Sequence, residues 1–170
     1  SADTPIKVGK RVAVIGAGSV GRHIADRLAR LQIRGIRIVD PGRFKAQSLL
    51  THPINVEEVV NRAWKAQSAA EHAASLSPST SASFFNGVFQ DLDMTALIDV
   101  DLIAMATDNL AAEVATAQRC LQLRKPLVHA AVHGETLTAQ SRWYTNADGA
   151  GPCIRCGFSE LEKQHIDSHT

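Results

Sequence analysis

The 170-residue chain is 45% hydrophobic and 21% charged, and 18 basic against 17 acidic side chains give it a formal net charge of +1. This length favours about one domain, and the balanced charge excludes a nucleic-acid-binding protein that works by overall positive charge. No stretch reaches the roughly 20 apolar residues of a membrane span, and the odd count of three cysteines argues against a disulfide scaffold, so we expect a cytoplasmic protein without nucleic-acid or membrane partners.

The net charge is close to zero, but basic and acidic residues are distributed unevenly along the chain. Residues 1–45 hold ten basic side chains against three acidic ones, whereas six acids and no lysine or arginine lie between Asp91 and Glu113. Two interpretations stay open at this point. The split reflects either a solvated basic helix and an acidic edge, or a positive phosphate site beside an acidic metal or partner site.

The first 40 residues predict a βαβ unit. The run Arg11–Gly18 (RVAVIGAG) is typical of a buried parallel strand that enters a tight turn, and Ile36–Asp40 (IRIVD) predicts the next strand. Between them, apolar and charged residues alternate at helical spacing, with Gly35 as the expected helix stop. The predicted inner face comprises Val20, Ile24, Leu28 and Leu31, and the predicted outer face comprises Arg22, Asp26, Arg27 and Arg30.

Strands and helices keep alternating downstream. An alanine-rich amphipathic helix is predicted from Val56 to about Leu76, followed by a surface loop over Leu76–Ser83 (LSPSTSAS). A second helix is predicted over Asn109–Leu123, with Thr107 or Asp108 as its N-cap. Further strands are predicted at Ser81–Phe89, Asp101–Ala106, Pro126–Val132 and Thr136–Thr145, the last of them antiparallel. The fold class is therefore α/β, a doubly wound, mostly parallel Rossmann-like sheet with helices on both faces.

The glycine motif Gly16–Gly21 (GAGSVG) lies at the predicted strand–turn–helix junction. Gly16 permits the tight turn, Gly18 lets the backbone approach a phosphate, and Gly21 lets helix and strand pack closely. Asp40 follows 19 residues after Gly21, where a carboxylate can accept both ribose hydroxyls. The pattern predicts a nucleotide site, with ATP and NAD both open.

A second motif, Ala106–Asn109 (ATDN), follows the predicted strand Asp101–Ala106 directly. A carboxylate at this edge of the sheet can hold Mg²⁺ beside phosphate oxygens, and it can equally cap the next helix. Lys65 is either a solvated helix lysine or a group within reach of the same ligand. His129 and His133, near the same edge, are interpreted as structural histidines or as site residues.

The cysteines divide into two kinds. Cys120 lies on the inner face of a predicted helix and is interpreted as a core residue. Cys153 and Cys156 form a CxxC, which supplies half of a tetrahedral zinc site, and His165 and His169 are candidates to complete it. A redox dithiol is the alternative.

In their order, these segments resemble the ThiF/MoeB-type adenylyltransferase family, which includes the ubiquitin-activating enzymes. The matching stretches are VAVIGAGSVGRHIADRLARLQIRGIRIVD, WKAQSAAEHAASLSP, DLIAMATDN, CLQLRKPLVHAAVHG and GPCIRC. The resemblance implies that ATP and Mg²⁺ are used to adenylate the C-terminal carboxylate of a ubiquitin-like or sulfur-carrier protein. It also implies a homodimer.

The resemblance also implies roles for individual residues. Lys65 and Asp108 would be catalytic, with Asp108 holding Mg²⁺, and Cys153 and Cys156 would be two of four zinc ligands. Contacts to the nucleotide are implied for Gly16, Gly18, Ser19, Gly21, Asp40, Lys65 and Asn109. Residues 1–145 would form the nucleotide-binding adenylation domain, and residues 146–170 a C-terminal segment with the CxxC.

Three positions depart from the family pattern after the ribose acid. Gly42 replaces a second acid, Ser48 an asparagine, and Thr51 an arginine that touches the phosphates, so Arg43 is the candidate catalytic substitute. The segment before the first strand is also short and the sequence ends soon after the first CxxC, so a fragment or a minimal version of the activating enzyme is expected. The first alternative is a catalytically weak homologue that binds nucleotide or a partner, and the second is an NAD(P)-dependent oxidoreductase.

Overall fold

The structure, a computed structural model, describes residues 9–133, 138–146 and 154–157, and within them the α/β expectation is confirmed. The described strands form one sheet in the order β3-β2-β1-β4-β5-β6, parallel except for the antiparallel pair β5–β6. They are β1 (Arg11–Ile15), β2 (Gly35–Val39), β3 (Ser81–Phe85), β4 (Leu102–Met105), β5 (Leu127–His133) and β6 (Thr138–Tyr144). None of the described helices has the length and apolarity to cross a membrane.

Helices cover both faces of this sheet. They are α1 (Ser19–Arg30), α2 (Ser48–Thr51), α3 (Val56–Val60), α4 (Lys65–Leu76) and α5 (Leu110–Gln122), with 3₁₀ turns at Phe89–Asp91, Met94–Leu97 and Ile154–Gly157. Alternate residues of β1 enter two separate cores. Val12 and Val14 pack with α1 and α4, whereas Ala13 and Ile15 pack with α5 and the 3₁₀ turns.

The inner face of α1 differs from the prediction. The buried residues are Gly21, Arg22, Ala25 and Ala29, whereas Leu31 is 61% exposed. The reason lies in α4, whose buried alanines pack against α1, because small side chains on both helices allow a close approach. Arg22 is therefore buried rather than outward-facing: its Nη1 donates to Ser68 Oγ at 2.7 Å and lies 3.9 Å from Glu58 Oε1.

The single helix predicted over Val56–Leu76 is wrong, because residues 61–64 separate α3 from α4. Arg62 has φ 49°, and Trp64 forms an antiparallel bridge with Arg43. The Phe44 amide donates to Ala63 O at 3.0 Å, and the Lys65 amide donates to Gly42 O at 3.0 Å. These backbone groups are paired across the bridge, so they cannot join a continuous helix.

Two smaller expectations are also corrected. The left-handed residue after α1 is Gln32, with φ 53°, and Gly35 is the first residue of β2 rather than a helix stop. The segment predicted as a surface loop buries Ser77 and Thr80, whose hydroxyl oxygens lie 3.0 Å apart. Hydrogen bonding between the two hydroxyls lets this polar segment pack inside the protein.

Candidate functional site

The carboxyl ends of β1, β2 and β4 open into one cavity of about 1030 Å³. The parallel pairing places Ile15, Val39 and Met105 side by side, so the residues that follow them meet at one edge. The cavity collects residues of the glycine motif and of the motif Ala106–Asn109, together with Asp40 and Lys65. Its predicted site residues are Gly16, Gly18, Ser19, Asp40, Lys65, Asp108 and Asn109.

The glycine turn packs closely against the end of β4 at Gly16, and it leaves open space at Gly18. Gly16 has φ 93°, and a Cβ there would lie 2.6 Å from Ala106 O, whereas a Cβ on Gly21 would lie 1.8 Å from Gly16 O. A Cβ on Gly18 would meet nothing within 4 Å. No side chain caps α1 at Gly18, so the amides of its first turn remain available to an anion in the cavity.

Asp40 is held in place by backbone amides. The Ala17 amide donates to Oδ2 and the Gly42 amide to Oδ1, both at 2.6 Å. Each carboxylate oxygen can accept a further hydrogen bond, so these two contacts orient the group without exhausting it. The arrangement suits the binding of ribose hydroxyls at the end of β2.

Lys65 starts α4 beside the same carboxylate. A Cβ on Gly42 would lie 2.8 Å from Asp40 Oδ1 and 3.3 Å from Lys65 Cδ. A side chain at position 42 would therefore crowd both the Asp40 carboxylate and the Lys65 side chain. The amide of Lys65 is already used by Gly42 O, which fixes the start of the helix against the loop after β2.

Asp108 is exposed in the cavity at the N-terminal end of α5. The expected N-cap at Thr107 or Asp108 is wrong: Asn109 is the N-cap, and its Oδ1 accepts from the Ala112 amide at 3.1 Å. Among the described residues, no hydrogen bond or ion pair engages the Asp108 carboxylate. The side chain is therefore available for a cation, and Asn109 itself is used structurally.

Arg43 does not line this cavity. Its guanidinium stacks on the Trp64 ring at 3.6 Å, and Nη1 donates to Arg62 O at 2.8 Å. Thr51 and His52 line the cavity instead, and no sequence pattern predicts His52 as a site residue. Burial, followed by the charge of Lys65, lowers the pKa of His52, whose Nδ1 lies 2.8 Å from Thr51 Oγ1.

The far end of the cavity is lined by α5 and β5, at Glu113, Thr116 and residues 130–132. His129 is buried behind it, with Nε2 3.4 Å from Glu113 Oε2. No motif marks Glu113 or Thr116 as a site residue, although Glu113 ends the acidic run that begins at Asp91. For His133, only the backbone position at the end of β5 is described.

The described residues do not test the predicted zinc site. Cys153, His165 and His169 lie outside the described residues, and Cys156 is exposed on the last 3₁₀ turn. Within the described ranges, no group of three or more histidine, cysteine or acidic side chains is placed to hold a metal ion. Cys120 is fully buried, which confirms its interpretation as a core residue.

Comparisons with known proteins add three findings. Residues 8–169 match the model of the ThiF family. The chain is 28% identical over 148 residues to the adenylyltransferase and sulfurtransferase MOCS3 of Culex quinquefasciatus, which covers 86% of this chain and 33% of the relative. It is 28% identical over 154 residues to the SAMP-activating enzyme E1 of Haloferax volcanii, which covers 88% of this chain and 54% of that enzyme.

The fold is similar to that of a solved structure, the E. coli MccB with succinimide. The TM-score is 0.73 at 17% sequence identity, and the match covers 95% of this chain and 48% of the other. The chain thus spans between about a third and about half of these relatives.

Proposed function

The chain belongs to the ThiF family, and from this we propose that its cavity binds ATP with Mg²⁺ and adenylates the C-terminal carboxylate of a ubiquitin-like or sulfur-carrier protein. One observation carries the proposal. The glycine turn, Asp40, Lys65 and Asp108 come from separate parts of the chain and line a single cavity. A nucleotide, a metal ion and an attacking carboxylate all need groups of these types.

In this reaction, a carboxylate oxygen of the substrate bonds to the α-phosphorus of ATP. The bond from that phosphorus to the bridging oxygen breaks, and pyrophosphate leaves with the electron pair. Positioning and charge stabilisation supply most of the rate in such a transfer. The Lys65 ammonium and the amides at the start of α1 would stabilise the phosphate charge, and Asp40 would hold the ribose.

Asp108 fits a magnesium site because its carboxylate is exposed in the cavity and is not used as a helix cap. Mg²⁺ prefers one or two carboxylates together with phosphate oxygens. When bound, the ion would neutralise charge on the phosphates. The Thr107 hydroxyl, buried without a hydrogen-bond partner among the described atoms, is the neighbouring polar group.

A second candidate function is nucleotide or partner binding with weak turnover. The observation that favours it is the position of Arg43, which stacks on Trp64 outside the cavity. Thr51, which stands where the resemblance implies an arginine, lines the cavity instead. The loss of one such phosphate contact costs about 10²–10³ in rate.

The test is ATP–pyrophosphate exchange with a panel of ubiquitin-like and sulfur-carrier proteins, preceded by calorimetry with Mg·ATP and, as a comparison, NAD⁺. We expect ATP to bind more tightly than NAD⁺, and Asp108→Asn to lower the exchange rate at least 100-fold. Glu57→Gln, an exposed change outside the cavity, is the matched control. An Asp108→Asn rate within threefold of wild type contradicts the metal role, and ATP binding without exchange favours the second candidate.

A further inference from the structure

Thr51 and His52 form a polar pair in the wall of the cavity. Thr51 is the last residue of α2 and is exposed, and His52 follows it as the C-cap of that helix. The two side chains meet at 2.8 Å, the distance between Thr51 Oγ1 and His52 Nδ1. The pair is separate from the glycine turn, Asp40, Lys65 and Asp108, to which the proposed function assigns the nucleotide and the metal ion.

Two contacts hold His52 in place. Its backbone amide donates to Ser48 O at 2.9 Å. Its ring packs edge-on against the buried ring of Phe44, with the centroids 5.6 Å apart and an angle of 78° between the planes. Nε2 is buried and forms no hydrogen bond of ordinary geometry among the described atoms. Nδ1 is therefore the ring atom through which His52 acts on the cavity, and it acts through Thr51.

The pair shares its cavity with groups that attract anions. Burial lowers the pKa of His52 most, and among the charged groups Lys65 has the largest effect in the same direction. Lys65 and the uncapped first turn of α1 line the cavity as well. Their positive charge favours phosphate oxygens in the space that the Thr51 hydroxyl faces.

The number of hydrogen-bond donors decides what the pair can offer to an anion. A threonine hydroxyl has one proton and two lone pairs. If His52 Nδ1 accepts that proton, none is left for a ligand. If Nδ1 carries a proton, it donates to Thr51 Oγ1, and the hydroxyl donates to a phosphate oxygen, which accepts. An anion in the cavity selects the second arrangement, because it gains a donor and because its charge favours a protonated ring.

We infer that the Thr51 hydroxyl is a phosphate-binding donor of the nucleotide site and that His52 is its positioning residue. His52 Nδ1 donates to Thr51 Oγ1, and the hydroxyl proton is thereby directed to a phosphate oxygen. The inference rests on the proposed function in one respect, namely that the cavity binds a nucleoside triphosphate. It adds a phosphate contact to those of Lys65 and the amides of α1.

The first test removes the hydroxyl. Thr51→Val keeps the shape of the side chain, and its affinity is measured for Mg·ATP by calorimetry and for adenosine, which has no phosphate, by displacement of a fluorescent ATP analogue. We expect Mg·ATP to bind at least tenfold more weakly, as for the loss of a hydrogen bond to a charged group, and adenosine binding to change less than twofold. Thr95→Val, at an exposed threonine outside the cavity, is the matched control and should leave both affinities unchanged.

The second test separates positioning by His52 from a structural role. His52→Leu removes the hydrogen bond to Thr51 and should weaken Mg·ATP binding at least fivefold. His52→Asn places a side-chain amide near the position of Nδ1 and should restore binding to within threefold of the wild type. Because the two residues act as one unit, the double variant Thr51→Val/His52→Leu should bind Mg·ATP no more than twofold more weakly than Thr51→Val alone. A merely structural role of His52 would give additive losses and no rescue by asparagine.

The outcomes separate this inference from the proposed function. Binding of Mg·ATP by Thr51→Val within twofold of the wild type, or additive losses in the double variant, overturns the inference alone. An equal loss of adenosine binding does the same, because the effect would then not involve the phosphates. If the wild type does not bind Mg·ATP at 1 mM, both proposals are overturned. The expected losses without ATP–pyrophosphate exchange by any carrier protein support the Thr51–His52 pair and contradict the adenylation reaction.

Discussion

Asp40 and the Lys65 side chain both lie close to Gly42 in the candidate nucleotide site. The Gly42 amide donates to Asp40 Oδ1, and a Cβ on Gly42 would come within 2.8 Å of that oxygen. A side chain at this position must therefore move the carboxylate that two backbone amides now hold. Gly42, which stands where the family resemblance implies a second acid, thus lies where a side chain has no room beside Asp40.

Gly42→Asp, which restores the acid of the family pattern, should therefore weaken ATP binding rather than strengthen it. We expect at least a tenfold loss of affinity, or about 1.4 kcal/mol, because the new Cβ displaces Asp40 and the new charge lies beside it. Calorimetry with Mg·ATP measures the change. Gly9→Ala is the control, since a Cβ there meets nothing within 4 Å; unchanged or tighter binding by Gly42→Asp would show that the site tolerates both acids.

His52 should make the stability of the protein depend on pH. Burial and the charge of Lys65 lower the pKa of His52 in the folded state, whereas the unfolded value is near 6.5. As pH falls through this range, the unfolded chain takes up the proton first, so the free energy of unfolding decreases. Urea denaturation at pH 7.5 and 5.5 should show a larger loss of the free energy of unfolding in the wild type than in His52→Gln. Equal losses in the two proteins would contradict a lowered pKa of His52.

At the scale of elements, Arg22 connects three helices. It lies on α1, donates to Ser68 on α4, and approaches Glu58 on α3, which also forms a capping box with Asn55. Burial lowers the pKa of Arg22, and nearby Glu58 opposes that shift. The guanidinium thus holds α3, the short helix that follows the cavity-lining Thr51 and His52, against the α1–α4 pair.

Arg22→Ala should destabilise the fold by about 3 kcal/mol, because it leaves Glu58 without its cation and opens space between the helices. The free energy of unfolding in urea measures the effect. Arg27→Ala, an exposed arginine on the same helix, should change it by less than about 0.5 kcal/mol. Similar values for both variants would mean that the buried pair contributes no net stability.

The same elements show how far the sequence predicts this fold. The strands and α1 followed from local patterns, since buried parallel strands read as apolar runs and amphipathic helices repeat at 3.6 residues. The break between α3 and α4 did not, because it depends on backbone pairing with residues 42–44, about 20 positions earlier. The burial of Arg22 likewise depends on Ser68, 46 positions away.

In the candidate site, Gly16, Asp40 and Asp108 were predicted because motif and sheet topology bring strand ends to one edge, whereas a site role for Lys65 was implied only by the family resemblance. His52 and Glu113 were missed for the opposite reason. His52 belongs to no local pattern, and Glu113 was noted only as the end of an acidic run. Each lines the cavity through the packing of the loop after β2 or of α5. The expected homodimer, the cytoplasmic location and the division at residue 145 stay predictions.

At the scale of the whole molecule, the reactivity of the buried Cys120 thiol depends on how often the core opens. It is fully buried in the core between α5 and the sheet, and burial raises its pKa to about 12. In the unfolded chain, a thiol loses its proton near pH 8.5. The thiolate is the reactive form, so alkylation of Cys120 at pH 8 requires the core to open.

The raised pKa of Cys120 also makes the free energy of unfolding depend on pH. Below pH 8.5 the thiol is protonated in both states, and above it the unfolded chain releases the proton first, so the free energy of unfolding falls as pH rises towards 12. Between pH 8.5 and 10.5 the wild type should therefore lose stability more steeply than Cys120→Ala, measured by urea denaturation. The other titrating groups are common to both proteins and cancel in the comparison of slopes. Equal slopes would show that Cys120 reaches solvent in the native state.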